Sequence, residues 1–349
     1  MVLEPKKRRP TLAMVARVAE TSIPTVSKVL RGGTDVSPAT RDRVMEAVRA
    51  VGYSMRTTSV GGVGVHDSTP PALIDLVVNH VDGTWANGVL IGVEGVATTA
   101  NVDVIITVAR ADGQWLPRLL RRPSQGAVMV LVDPSEAQFA ALNAAQIPVV
   151  LVTPMSQPSA SVPAVGVTNW DGGRAAAEHL LDLGHTRVGI VGGTRTHLYS
   201  RARIDGFRSA FEDAGISLPI KVAHADWDRG KAQSEARQML SESERVTAIF
   251  ACSDVMALGV YDAARELSLA IPTDLSVVGF DDVPEAEWAS PSMTTIHQPI
   301  VEMGATAVRL LLQEIANRDT GSAHSAHPRL DLETRLIVRE STTAYTGHQ

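Results

Sequence analysis

Residues 11–30 read TLAMVARVAETSIPTVSKVL, and residues 36–53 continue VSPATRDRVMEAVRAVGY. Leu12, Val15, Ala16 and Ala19 recur at helical spacing behind Thr11, whose hydroxyl suits an N-cap. A second short helix is expected over Ile23 to Leu30, capped by Ser22. It buries Val26, Val29 and Leu30 and leaves Ile23, Pro24, Thr25, Ser27, Lys28 and Arg31 facing out. Arg31-Gly-Gly-Thr-Asp35 breaks the chain, and Ser37-Pro38 restarts it as an N-cap followed by proline in the first helical position. The third helix carries Val44, Val48 and Val51 and stops at Gly52. Three short helices with a tight turn between the first two form a helix-turn-helix, a motif whose second helix lies in the DNA major groove.

Charge sets this head apart from the rest. Residues 1–56 hold 11 Lys/Arg against 5 Asp/Glu, net plus 6, and the other residues hold 21 against 33, net minus 12, which accounts for the chain's net charge of minus 6. Only the head is therefore expected to approach a polyanion. By itself the run Lys6-Lys-Arg-Arg9 reads equally as a solvated or targeting tail. With 349 residues, 44% of them hydrophobic, the chain can fill two or three cores. Its apolar strings are as short as Gly126 to Val132, which excludes a bilayer-spanning reading. Met1 to Pro10 has no apolar stretch behind its charges, so a cytoplasmic, nucleoid-associated protein is expected. The single cysteine, Cys252, has no disulfide partner and no zinc-ligand spacing around it, and neither a metal nor a cofactor is expected.

From Ala72 strands alternate with helices. Leu73 to Val78, Val102 to Val108, Ala127 to Val132 and Val149 to Val152 read as buried parallel strands, with helices such as Asn87 to Ala100 and Ser135 to Ala145 between them. The rhythm restarts with strands at Arg187 to Val191, Ile220 to Ala223, Ala248 to Ala251 and Leu275 to Phe280. Helices are expected near Arg201 to Ala214, Lys231 to Ser241 and Asp254 to Leu267. An α/β core of two lobes follows.

The head resembles the DNA-binding domain of the lactose/galactose-repressor (LacI/GalR) family of bacterial transcription factors, through Thr11-Leu12, Val15-Ala16, Thr25-Val26-Ser27, Val29-Leu30, Val36-Ser37, Thr40-Arg41, Val44 and Gly52-Tyr53. The body resembles that family's periplasmic-binding-protein-like core through Leu183-Gly-His-Thr-Arg187, Arg203-Ile-Asp-Gly-Phe207, Ser253 to Gly259, Val278-Gly-Phe-Asp-Asp282 and Met293 to Pro299. The resemblance implies a helix-turn-helix over 1–56, a glycine-rich linker over 57–71, an effector-binding domain over 72–340 and a tail over 341–349. Lobe one would take 72–168 and 299–327, and lobe two 169–295 and 328–340. It also implies a homodimeric repressor on a pseudo-palindromic operator, controlled by a small molecule held between the lobes. A sugar or short oligosaccharide is the expected effector, with a purine or nucleoside as the alternative. Ile23, Pro24 and Lys28 fall where the family reads bases and Thr25 and Ser27 where it contacts phosphates. Thr11, Leu12, Ser22 and Arg31 complete the DNA-facing set.

The chain departs from the family in two places. Glu20-Thr21 stands where the turn usually has glycine, so a positive backbone angle at Glu20 would be strained. The linker Ser54 to Gly64 has Gly62 where the family's hinge helix carries a minor-groove leucine. Glycine cannot intercalate, and this composition disfavours a helix.

In open α/β sheets ligands sit beyond the C-terminal ends of the strands. There the chain offers Trp85, Thr153, Trp227, Ser253, Asp254 and Asp281, with Arg203 opening a helix and Gln298 in an interlobe crossover. Aromatic planes with carboxylate, guanidinium and hydroxyl groups suit a sugar's C–H faces and hydroxyl fringe. Lone tryptophans also fill cores, Arg203 and Asp281 also suit a structural ion pair, and Gln298 also suits packing. Trp288 reads as cleft wall or core, and His185 as a residue that packs at a strand start. The enzyme reading is weaker: Gly61-Gly-Val-Gly64 lacks the dinucleotide-binding spacing, and neither Ser200 nor Ser253 lies in a nucleophile elbow. A stand-alone solute-binding protein would not need the head.

Lys28 is the strongest single candidate for base reading, since lysine donates to the O6 and N7 acceptors of guanine. Lys28→Ala is expected to weaken operator binding by about 1–3 kcal/mol and to relax preference at one base pair per half-site. Competition binding against random DNA measures this, and unchanged discrimination would refute the groove assignment.

Overall fold

Helix α1 (Leu12–Val18) starts on Thr11, whose Oγ1 accepts from the Met14 amide at 3.4 Å. Ser22 caps α2 (Ile23–Leu30) by accepting from Thr25 N at 3.2 Å, and Ser37 caps α3 (Pro38–Val51) by accepting from Thr40 N at 3.3 Å. Val15, Ala16, Ala19, Val26, Val29, Val44 and Ala47 close one small core, with Leu12, Leu30, Val48 and Val51 packed around it. Glu20 takes φ 48°, so the turn keeps the left-handed residue that the sequence made strained.

The computed structural model describes residues 11–30, 36–51, 72–110, 112–159, 161–216, 220–320 and 329–347. The chain divides into two compact units, Met1–Thr69 and Pro70–Gln349. The basic run at 6–9, Arg31, Gly52, Tyr53 and the expected linker at 57–71 lie outside the described residues.

The second unit holds two six-stranded sheets. The first is built along the chain from β1 (Ala72–Val78), α4 (Thr84–Thr99), β2 (Val102–Val108), α5 (Trp115–Leu120), β3 (Gly126–Val130), α6 (Glu136–Ala144), β4 (Val149–Val152) and β5 (Ala164–Val167). After α7 (Asn169–Asp182) come β6 (Val188–Gly192), α8 (Leu198–Asp213), β7 (Lys221–His224), α9 (Arg229–Leu240), β8 (Ala248–Ala251) and α10 (Asp254–Glu266). Then follow β9 (Ser276–Asp281), α11 (Pro284–Trp288), β10 (Thr294–His297), α12 (Ile300–Thr320), β11 (Arg329–Leu332) and β12 (Arg335–Ile337). The sheet orders are β11-β5-β4-β3-β1-β2 and β12-β10-β9-β8-β6-β7, parallel throughout except for the pairing of β12 with β10. Apolar strands such as β3, β6, β8 and β9 are buried along their whole length, as strands covered on both faces must be.

The chain passes between lobes three times: from β5 to α7, from β10 to α12, and at Glu333-Thr334 between β11 and β12. The first and third passages are tied together. Thr334 N donates to Thr168 Oγ1 at 3.0 Å, and the Thr334 hydroxyl donates to the Thr168 carbonyl at 3.1 Å. Two expected boundaries shift. β11 pairs with β5, so 329–332 belongs to lobe one and the last passage falls after 332, not at 328. The beginning of the expected tail is also core. Ser341 is fully buried, donating to Val277 O at 2.6 Å and accepting from Thr294 N at 2.8 Å, while Tyr345 N donates to Leu183 O. A polar stretch reads as a tail because its hydroxyls carry no hydrophobic signal, although they satisfy backbone groups at the starts of β9 and β10.

Helices α7 and α8 cross at van der Waals distance on two glycines. A Cβ at Gly173 would lie 2.0 Å from the Arg203 carbonyl oxygen, and one at Gly206 would lie 1.9 Å from that of Trp170. Gly173→Ala is expected to push α8 away and cost about 1–3 kcal/mol, the usual penalty of overpacking. Thermal unfolding of the body checks this, and an unchanged midpoint would contradict the close crossing.

Candidate functional site

The C-terminal ends of the strands from both lobes face a cleft of about 400 Å³, within the range of small-molecule sites. Its rim is bridged by Thr84 Oγ1 donating to Glu285 Oε2 at 2.7 Å, and by Leu198 N donating to Met155 O at 2.9 Å. The expected residues Trp85, Thr153, Arg203, Trp227, Ser253 and Asp281 line this cleft together.

The backbone there is strained. Leu131, Thr153, Asp226 and Trp227 have φ of 52°, 50°, 50° and 66°, Asp281 has 124° and its neighbour Asp282 has 59°. Such angles in non-glycine residues cost on the order of 1–3 kcal/mol each and gather at functional sites. Asn101, Gln146 and Ser268 also have positive φ, but each follows a helix C-cap, where that conformation is ordinary.

Trp227 anchors an aromatic corner. Its ring lies 5.0 Å from Tyr199 and is stacked 6.2 Å from His197, centroid to centroid. A Cβ at Gly193 would come within 2.0 Å of the indole, so only glycine permits this seat. The indole nitrogen donates to His197 Nδ1 at 3.1 Å, and the Tyr199 hydroxyl meets the same atom at 2.9 Å. Because an indole N–H can only donate, Nδ1 must hold its lone pair, and His197 is neutral with its proton on Nε2. Burial lowers the His197 pKa below the ordinary histidine value and supports that state, against the opposing pull of Asp133 and Asp226. Burial likewise pushes the Tyr199 phenol up, so it stays a neutral hydroxyl.

The charged floor is Arg203 with Asp281, both buried, 3.5 Å apart. Arg203 Nε donates to Asn169 Oδ1 at 2.8 Å and Nη1 to the Cys252 carbonyl, and the guanidinium lies 3.7 Å from the Phe280 ring centre. Burial raises the Asp281 pKa to about 6, while Arg203 and then Gln298 pull it back down. Cys252 is fully buried, and its thiol is pushed up to about 12, which makes it unreactive.

Two expected contacts stand behind the wall. Gln298, 2% exposed, donates Nε2 to Asp281 Oδ1 and so positions the carboxylate instead of lining the cleft. Asp254 is completely buried, accepting from Thr295 Oγ1 and from Val283 N at 3.0 Å; burial and then Asp281 push its pKa up. A Cβ at Gly279 would lie 2.2 Å from that carboxylate, which explains the glycine. Ser253 lines the cleft but also caps α10, accepting from Met256 N at 3.2 Å. Thr153 Oγ1 is buried without a partner among the described residues, which leaves a hydroxyl to be satisfied from the cleft. Trp288, 73% exposed, is neither cleft wall nor core. His185 packs as expected, bonded to Thr247 Oγ1 and donating Nε2–H to Thr343 O.

Sequence reading missed His197, Tyr199, Asp226, Asn79, His80 and Asp82 on the cleft wall. Their available signal was position: each lies shortly after a strand end, as Thr153 does.

In the head, Ile23, Pro24 and Lys28 are exposed on α2, and Thr25 and Ser27 are half-buried beside them. Thr11 and Ser22 are exposed caps, a placement compatible with phosphate contact. Leu12 is half-buried like Thr25 and Ser27, and its inner side packs on the head's core, where it begins the apolar stripe of α1. Among the described residues no group of His, Cys, Asp and Glu could hold a metal ion, and no helix is long and apolar enough to cross a membrane.

Residues 11–55 match the family of bacterial regulatory proteins, lacI family, and residues 177–342 match the periplasmic binding protein-like domain. The chain is 31% identical over 347 residues to the HTH-type transcriptional regulator CelR of Thermobifida fusca, covering 96% of this chain and 99% of the relative. The structure of a transcriptional regulator CelR–cellobiose complex superposes with a TM-score of 0.71 at 29% identity, covering 95% of this chain and all of that one. The lac repressor dimer bound to operator and an anti-inducer gives 0.69 at 25% identity, covering 97% of this chain and all of that one.

His197 supplies a pH-dependent test. Its folded pKa is depressed, so its contribution to stability is complete above the unfolded value near ~6.5 and is lost as pH falls through the folded value. Protonation also turns Nδ1 from acceptor to donor and breaks the Trp227 bond. Tryptophan emission titrated from about pH 8 to about pH 5 is expected to show a transition centred below ~6.5 that His197→Gln removes. A transition centred above that value, or one kept by the variant, would contradict the acceptor role.

Proposed function

This chain belongs to the lacI family of bacterial regulatory proteins, and on that premise we propose a homodimeric repressor whose operator affinity is controlled by a sugar or short oligosaccharide bound between its lobes. The observation that carries the effector reading is the juxtaposition of the Trp227–Tyr199–His197 aromatic corner with the buried Arg203–Asp281 pair in one cleft. An apolar plane takes the C–H face of a sugar, and a carboxylate beside a guanidinium takes its hydroxyls at once as donors and acceptors. Thr153 supplies a further hydroxyl, and Trp85 a second apolar plane. Cellobiose in the related CelR complex is consistent with a ligand of this class.

Binding, not catalysis, is the role we assign to the cleft, and with it a cytoplasmic, nucleoid-associated protein. Both nitrogens of His185 are committed to Thr247 and Thr343, so it activates neither Ser200 nor Ser253. In the head, Ile23, Pro24 and Lys28 are the proposed base readers, with Thr25, Ser27, Thr11 and Ser22 on phosphates. Sugar and operator would be linked by a coupling of order 1–3 kcal/mol.

Asp281→Ala would leave a buried guanidinium uncompensated, at a cost of about 3–5 kcal/mol. Asp281→Asn keeps a side chain able to accept from Arg203 and Gln298 while removing the charge. It is expected to abolish the sugar response in fluorescence or thermal-shift titration, with operator binding intact. Trp227→Ala should weaken the sugar by a few kcal/mol at most. The panel pairs mono- and oligosaccharides with purines and nucleosides; stabilisation by the purines alone would replace the sugar reading, and equal sugar binding by both variants would place the site elsewhere.

A further inference from the structure

On the outer side of lobe two, α8 carries Arg201, Asp205 and Arg208 at successive helical turns. With Arg195 from the turn before α8 and His224 at the end of β7, they line a second cavity of about 310 Å³, floored by Ile204 and Val222. This cavity shares no lining residue with the cleft.

Three guanidinium groups gathered in one concavity set it apart. Five other arginines of the lobe face carboxylates: Arg174 with Glu178 and Asp213, Arg229 and Arg265 with Asp262, Arg245 with Asp274, and Arg339 with Asp282. The side chains of Arg195, Arg201 and Arg208 make no ion pair or hydrogen bond with the described residues, on a body whose net charge is strongly negative. Three exposed guanidinium groups gathered around one carboxylate leave a net positive charge in the concavity for an anion to share.

We propose that this cavity binds a phosphate monoester of a polyol or sugar. Three guanidinium groups and the Asp205 carboxylate sum to plus 2, which matches the charge of minus 1.5 to about minus 2 on a phosphate monoester near neutral pH. Guanidinium forks fit phosphate oxygens in pairs. Asp205 can only accept, so it repels a bare phosphate and rewards a ligand that also brings hydroxyl donors. His224 donates Nδ1–H to the Gly193 carbonyl at 2.8 Å, which leaves Nε2 as its remaining polar atom. Gly193 is the residue beneath the Trp227 ring, and α8 carries Arg203 as well, so the second site touches the same elements as the cleft.

Calorimetric titration of the full chain with glycerol 3-phosphate, inorganic phosphate and glycerol, in a phosphate-free buffer of low ionic strength, tests the proposal. Glycerol 3-phosphate is expected to bind at least about tenfold more tightly than inorganic phosphate, and glycerol not measurably. Arg201→Ala/Arg208→Ala, two exposed changes, should weaken that binding at least about tenfold and leave thermal unfolding unaltered, while Asp281→Asn binds glycerol 3-phosphate as the wild type does. Absence of binding by the wild type, equal binding by the double variant, or loss of binding in Asp281→Asn alone would overturn the site. Equal affinity for inorganic phosphate would overturn the part given to Asp205.

Discussion

The Arg203–Asp281 pair is buried between the two lobes' crossings, and the arrangement of the body is built around satisfying it. Removing two such charges from water costs several kcal/mol each, so the pair persists only with its other hydrogen-bonding capacity met. Arg203 meets it with Asn169, the first residue of α7 after the chain leaves lobe one, and with the Cys252 carbonyl. Asp281 meets it with Gln298, in the passage that returns the chain to lobe one. The ion pair thus grips two of the three passages between lobes. In the function proposed above, a ligand hydroxyl competing for either charge would act on the bonds that hold these passages.

Holding such a site open at the strand ends requires strain, and the sheets supply the rigidity that tolerates it. The strained residues Leu131, Thr153 and Asp281 follow or close strands buried along their whole length, whereas Asp226 and Trp227 follow the half-buried edge strand β7. A strand locked on both sides leaves its last residue little freedom, and an unfavourable angle there survives because the ladder outweighs it. Close helix crossing does the same for Arg203. Gly173 lets α7 lie against the Arg203 carbonyl, so the guanidinium projects from a helix that cannot retreat.

The two units divide the chemistry by charge. The head, residues 1–69, carries a net plus 5, and its core of small aliphatic residues presents α2. The body, residues 70–349, carries minus 11, which disfavours its approach to phosphates except where arginines are concentrated on α8.

Local pattern made the head and the strand-helix rhythm legible. The caps at Thr11, Ser22 and Ser37, the apolar stripes of the first three helices and the left-handed angle at Glu20 depend on residues within a few positions of each other. The cleft's principal side chains, Trp85, Thr153, Arg203, Trp227, Ser253 and Asp281, were legible because residues after strand ends in such sheets converge. What the sequence could not disclose were relations between distant residues. Gln298 and Asp254 proved to be supports, Trp288 proved exposed, β11 joined lobe one and Ser341 became core, since each outcome depends on pairing across tens to hundreds of residues. The neutral state of His197 was decided in the same way: its tautomer is imposed by an indole thirty residues away that can only donate. Composition and short-range spacing determine which elements form, whereas the role of a polar side chain is set by the partner that the fold places within hydrogen-bonding distance.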